Sequence, residues 1–130
     1  MDIIATQKFL IMSPKKLRVV AFEVRKMKPI QSIEVLPHIG KRAAEPLLKV
    51  IKSAIANAKV KGISETDLIF KEIQINEGPR LKRGRPVSRG MFHAYKKRMS
   101  HIRVVLTTNS KHQTLNSKET KKSARKEEKS

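Results

Sequence analysis

The 130-residue chain carries 30 Lys and Arg against 11 Asp and Glu, a formal net charge of +19, with 38% hydrophobic residues, 4% aromatic residues and no Trp or Cys. That length supports one domain with a modest aliphatic core, and the missing cysteines exclude disulfides, thiolate chemistry, zinc ribbons and iron–sulfur clusters. So large a positive charge repels itself unless a polyanion neutralises it, which makes nucleic acid the expected partner and an intracellular site the expected location.

In chain order, the first stretch predicts a strand, because Ile3, Ala5, Phe9 and Ile11 share one parity. Asp2, Gln7 and Lys8 do not suit a secretory signal and no Arg precedes Arg18, so these residues are expected to belong to the fold. No apolar run approaches the ~20 residues that cross a bilayer. Ser13-Pro14 marks a helix start, with a hydroxyl to cap free N–H groups and a proline whose missing donor costs nothing there. Leu17, Val20, Ala21, Val24 and Met27 then recur at helical spacing, Lys15, Lys16, Arg18 and Arg25 fall elsewhere on the cylinder, and the helix ends before Pro29.

Ser32 reads as the cap of a short helix carrying Ile33 and Leu36, closed by Pro37 and Gly40. The cleanest helical stripe follows, from Ala44 through Leu47, Leu48, Ile51, Ala54 and Ile55 to Ala58. Arg42, Lys49, Lys52 and Lys59 project from its other side, Pro46 places the regular start nearby, and Gly62 is a natural stop. Asn57, polar on a largely apolar helix, is expected to bond backbone.

A strand is predicted over Leu68 to Ile75, where the switch of parity between Leu68/Phe70 and Ile73/Ile75 implies a bulge or a change of face. Another is predicted over Ser100 to Leu106, with Ile102, Val104 and Leu106 inward and His101 and Arg103 outward. Phe9, Phe22 and Phe70 are expected in the core.

Between those strands the charge concentrates. Residues 80–103 hold nine basic side chains (Arg80, Lys82, Arg83, Arg85, Arg89, Lys96, Lys97, Arg98 and Arg103) and no acidic one. Charge runs are commonly solvated surface, but this one is Arg-rich, contains Gly84, Pro86 and Gly90, and is bracketed by strands. If the strands pair, the block is a long antiparallel hairpin over about 76–103, with its midpoint at Arg89 and Gly90. Arms of about a dozen residues at ~3.3 Å each would reach ~40 Å, and such a ribbon, with no apolar face, would be ordered by what it binds. Residues 109–130, with only Leu115 and Ala124 apolar, read as a disordered basic tail.

Catalysis finds little support. His38, His93, His101 and His112 show no metal-ligand spacing, no Gly pattern is followed by Lys-Ser or Lys-Thr, and the densest polar region has no carboxylate to act as a base. No metal, cofactor or enzymatic activity is expected.

Several segments, in order, carry a resemblance: Ser13-Pro-Lys-Lys-Leu-Arg18, Ser53-Ala-Ile-Ala-Asn-Ala58, Glu77-Gly-Pro79, Leu81-Lys-Arg83, Pro86, Arg89-Gly90, Lys97-Arg98 and Ser100-His-Ile102. From about Ile3 to Thr108 the chain resembles the twenty-second protein family of the bacterial-type large ribosomal subunit. The resemblance implies an α+β fold, with a small antiparallel three-stranded sheet on about three helices and a long protruding β-hairpin. It also implies a non-enzymatic structural role in the cytoplasmic ribosome, with large-subunit (23S) ribosomal RNA and neighbouring ribosomal proteins as partners. In that family the hairpin threads through the RNA and its tip meets the nascent peptide in the exit tunnel. Carried over, Leu81-Lys-Arg83 and Lys97-Arg98 match arm segments that grip RNA, and Pro86, Val87, Ser88, Arg89, Gly90, Met91 and Phe92 match the tip.

Adding the staggered cations, the expected RNA contacts are Lys15, Lys16, Arg18, Arg80, Lys82, Arg83, Arg85, Arg89, Lys96, Lys97, Arg98, His101 and Arg103. His93 and Tyr95 read either as base-stacking groups or as hairpin packing. The sequence departs from the family pattern at Met91 and Phe92, at Met27 where Gly is common, and in lacking an Arg before Ser13-Pro14. Neither a membrane nor a second copy of the chain is an expected partner. From another class, a DNA-architectural protein with a basic minor-groove arm is the alternative.

Overall fold

Alternation builds the first strand, β1 (Asp2–Leu10), which buries Ile3 and Ala5 and exposes Asp2, Ile4 and Thr6 in the computed structural model, where residues 2–108 are described. The expected tail lies outside the described residues. The parity fails at Phe9: β1 pairs regularly as far as Gln7, resumes at Leu10, and in between Phe9 takes a left-handed φ of 57°. Its side chain is thereby turned outward, 60% exposed and edge-on to the His101 ring, and Ile11 is exposed beyond it. Phe9 is therefore not a core residue.

Helix α1 (Pro14–Val24) buries Leu17, Val20, Ala21 and Val24 of the expected stripe, and Met27, the last of it, lies half-buried in the turn beyond the helix. Phe22 falls off that stripe and is 66% exposed, with the Lys26 ammonium 4.6 Å from its ring centre. It too leaves the expected core, whereas Phe70 is partly buried against it. Ser13 holds the extended backbone of an N-cap, but its hydroxyl caps nothing. Pro14 has no N–H to offer, and the Lys16 N–H already donates to the Ser13 carbonyl at 3.1 Å.

In α2 (Pro29–Val35) Ser32 lies inside the helix and not at its start; fully buried, its hydroxyl donates to the Pro29 carbonyl at 2.6 Å. Entry to α2 is marked by the Gln31 side chain, which accepts from the Lys28 N–H at 3.4 Å. The long helix α3 (Ala44–Val60) has Pro46 in its first turn, where no intrahelical N–H bond is lost. Gly62 ends it at φ 72°, and the Gly62 and Ile63 N–H groups return to the Lys59 and Ala58 carbonyls in a Schellman pattern.

Strands β2 (Leu68–Pro86) and β3 (Phe92–Thr108) are far longer than the apolar runs that announce them. All three strands are antiparallel in the order β1-β3-β2, so β3 is central. The parity switch in β2 is a bulge between Phe70 and Glu72. The helices cover one face of the sheet, where Leu17, Leu47 and Ile51 meet Ile3, Ile102, Val104 and Leu106 in a dry aliphatic cluster. Each sheet edge is met by a helix side chain: Asn57 donates to the Ile4 carbonyl of β1 at 3.1 Å, and Arg18 to the Ile75 carbonyl of β2 at 3.1 Å. Such contacts occupy edge groups that would otherwise template pairing with another chain.

Leu47 has no exposed surface, while Phe22 stands mostly in water. Leu47→Ala is expected to cost about 2–5 kcal/mol in urea denaturation, and Phe22→Ala to stay within about 0.5 kcal/mol. Equal losses would place Phe22 in the core after all.

Candidate nucleic-acid interface

Below Glu77 the hairpin belongs to the sheet; beyond it, to solvent. Gly78 and Pro79 form a second bulge opposite Met99, and past it pairing runs without slip from Arg80↔Arg98 to Pro86↔Phe92. Proline suits this point because the ladder is already interrupted and its missing donor is not needed. The seven paired rows extend roughly 20 Å at ~3.3 Å per residue. Every residue from Lys82 to Arg98 is exposed.

Register decides which cations meet. Arg80 lies directly opposite Arg98, and Lys82 directly opposite Lys96. Directly opposed residues share one face with Cβ atoms about 5 Å apart, where like charges destabilise pairing. The other face carries Leu81, Lys97, Arg83, Tyr95, Arg85 and His93. One acidic group answers this charge: Glu77 accepts from the Arg80 guanidinium at 2.7 Å, which holds the Glu77 carboxyl below the usual glutamate range.

Ser88, Arg89 and Gly90 close the hairpin in one tight turn, with Arg89 and Gly90 both left-handed at φ 59° and 69° and the Val87 N–H donating to the Met91 carbonyl at 2.8 Å. Just below, the Cζ end of the Phe92 ring reaches Gly84 so closely that a Cβ there would collide with it. On the opposite face a shallow hollow is lined by Arg85, Val87, His93 and Tyr95.

A second basic feature lies at the hairpin's root. A cleft of about 870 Å³ opens between the start of α1, the turn before α3 and the base of β3, and its walls carry Lys16, Lys41, Arg42, Lys97 and Arg98 without a carboxylate. Its apolar lining comes from Ile11, Met12, Val19 and Ala43. Buried Ser100 ties Met12 to the sheet by donating to the Met12 carbonyl at 3.0 Å. Outside this lining, the Glu23 carboxylate lies 3.9 Å from the Lys41 ammonium.

Comparison with known proteins fits this architecture. The family model described as ribosomal protein L22p/L17e matches residues 5–107. The chain belongs to that family. Large ribosomal subunit protein uL22 of Desulfatibacillum aliphaticivorans is 42% identical over 82% of this chain and 98% of the relative, and the protein of that name from Metamycoplasma hominis is 42% identical over 82% and 83%. The Thermotoga sp. uL22 protein is 39% identical over 82% of this chain and 68% of its own length. It is a family of ribosomal proteins, not of enzymes.

Within this ribosomal protein the expected contact residues divide. Lys16, Lys97 and Arg98 are among the residues lining the cleft, while Lys82, Arg83, Arg85, Arg89 and Lys96 line the arms and tip and Lys15 stays on the exposed side of α1. Arg80 is engaged by Glu77 and Arg18 by the Ile75 carbonyl. His101 Nδ1 accepts from the Phe9 N–H at 3.0 Å, which leaves only Nε2 for another partner. Arg103, paired with Thr6 and Gln74, stands on the sheet face away from the helices. Sequence reasoning missed Lys41, and set Arg42 aside as a solvated flank of α3; both lie in an irregular turn without periodicity to mark them.

Two outcomes follow from this geometry. In Arg80→Ala the Glu77 carboxyl should titrate closer to the ordinary glutamate value by NMR, because its main stabilising partner is gone. A depressed folded-state value stabilises above the unfolded value and fades as pH falls through the folded one, so the wild-type contact weakens in acid and the variant lacks that dependence. Gly84→Ala should expel the Phe92 ring and abolish its ring-current shift at residue 84 while the denaturation midpoint holds; a retained shift would contradict the packing.

Proposed function

We propose that this protein is a structural component of the cytoplasmic large ribosomal subunit, where it binds and stabilises large-subunit (23S) ribosomal RNA beside neighbouring ribosomal proteins. Residues 1–108 form the ribosomal domain with its hairpin at about 76–103, and residues 109–130 are a basic appendage. The observation that carries the reading is the register: Arg80 against Arg98 and Lys82 against Lys96, on an exposed ribbon with one carboxylate at its root. Phosphates from RNA on both sides would supply the missing counter-charge, and binding of this kind is held by counterion release. The backbone-led, shape-led mode suits a chain with few aromatic side chains.

The arms and root supply the grip, through Lys82, Arg83, Arg85, Lys96, Lys97 and Arg98, with Lys15, Lys16 and Arg89 extending it and Arg18, Arg80, His101 and Arg103 at its margins. Pro86 to Phe92 form the segment that lines the nascent-peptide exit tunnel, a role supported by the family relationship and by a tight turn at the far end of an exposed ribbon. Val87, Met91 and Phe92 are 44%, 63% and 70% exposed, so the wall they offer a nascent chain is apolar around a single Arg89 cation.

The test is binding to large-subunit RNA as a function of salt. Wild-type protein should prefer structured large-subunit RNA over duplex DNA in a gel-shift competition, and the Lys97→Ala/Arg98→Ala double variant should reduce the slope of log affinity against log salt by about 1.5–2. Preference for duplex DNA would favour the minor-groove alternative, and an unchanged slope would remove Lys97 and Arg98 from the phosphate contacts.

A further inference from the structure

The root cleft has a composition that phosphate binding alone does not explain. Ile11, from the turn after β1, and Val19, from α1, are 56% and 52% exposed and line the same cleft as Met12 and Ala43. A ligand that was only a phosphate would engage the cations and leave these apolar groups wet. A lining that mixes exposed apolar groups with cations suits a ligand with an apolar and an anionic part, and a nucleotide has that form: a flat base on a phosphate.

We propose that the cleft takes one unpaired nucleotide extruded from RNA, its base lying on Val19 and Met12 and its flanking phosphates held by Lys97, Arg98 and Arg42. This rests on the RNA-binding reading and adds a single-nucleotide site to it. The volume of about 870 Å³ lies within the range of small-molecule sites. Charge selects the occupant, because no carboxylate lines the walls. Ser13, whose hydroxyl makes no cap bond, belongs to the same lining and offers a donor or an acceptor. Extruding a paired base costs a few kcal/mol, so the natural occupant is a bulged or loop nucleotide that is already unstacked.

The cleft is anchored on both sides. Ser100, fully buried in β3, holds the Met12 backbone, and Lys97 and Arg98 lie on the same strand immediately before it. The nucleotide therefore binds where the arm leaves the domain.

The experiment uses the full chain with two probes of equal charge, pentaadenylate and the matching abasic ribose-phosphate pentamer, at one salt concentration. Wild type should bind pentaadenylate about tenfold more tightly, the gain expected from burying roughly 50 Å² of base and aliphatic surface against each other. In Val19→Ser, a substitution at an exposed helix position, that preference should vanish while affinity for the abasic pentamer is retained. The Lys97→Ala/Arg98→Ala variant should weaken both probes alike. Equal wild-type affinity for the two probes, or a preference that survives Val19→Ser, would overturn the nucleotide site and leave the RNA-binding reading intact. Failure of both pentamers and of large-subunit RNA to bind would overturn both.

Discussion

One continuous strand, β3, has its two halves in different surroundings, and the rest of the molecule is arranged around that fact. Its C-terminal half puts Ile102, Val104 and Leu106 into a dry core between β1 and β2, with all three side chains fully buried. The N-terminal half, from Phe92 to Arg98, has no buried residue at all. Hydrophobic burial fixes register at one end, and the bulge at Gly78-Pro79 shifts it by one residue before the arm begins, so that core register and bulge together dictate which arm residues oppose each other. Core and bulge thus set the charge pattern of a ribbon that has no core of its own.

That pattern is unfavourable for an isolated chain and favourable for a bound one. Opposed Arg80/Arg98 and Lys82/Lys96 pairs weaken the ladder in water, and a two-stranded ribbon is only marginally stable even without them. Phosphates placed between such pairs turn repulsion into attraction. Glu77 limits the conflict at the root, where the arm must still join a stable sheet, and the sequence carries no further acid until residue 119. The absence of acids along the arm leaves its like-charge pairs uncompensated from within the chain.

Much of this was legible in the sequence, because the signals were local and periodic. The α3 stripe, the β2 bulge and a hairpin apex at Arg89-Gly90 follow from spacing, parity and symmetry about the basic block. Other features depend on interactions that spacing does not encode. Phe9 turns out of the core through a left-handed backbone that no glycine or asparagine announces. Ser13 and Ser32 look like caps, yet one hydroxyl is displaced by a backbone carbonyl and the other bonds back within its own helix. Lys41 and Arg42 are separated from Lys97 by more than fifty residues, and only the folded chain brings them to one cleft.

The choice of a β-ribbon for the arm has its own physical logic. An extended strand advances ~3.3 Å per residue and a helix 1.5 Å, so a helical hairpin of the same length would reach less than half as far and be several times thicker. A ribbon also has two faces and little else, so alternate cations point to opposite sides and can bridge polyanions that pass on either flank. Its thinness requires small residues where side chains would collide, and Gly84 answers that need by leaving room for the end of the Phe92 ring. Reach, two-sided charge and a slender profile all follow from the same pleated geometry, and each would be lost if the segment were rebuilt as a helix with the same composition.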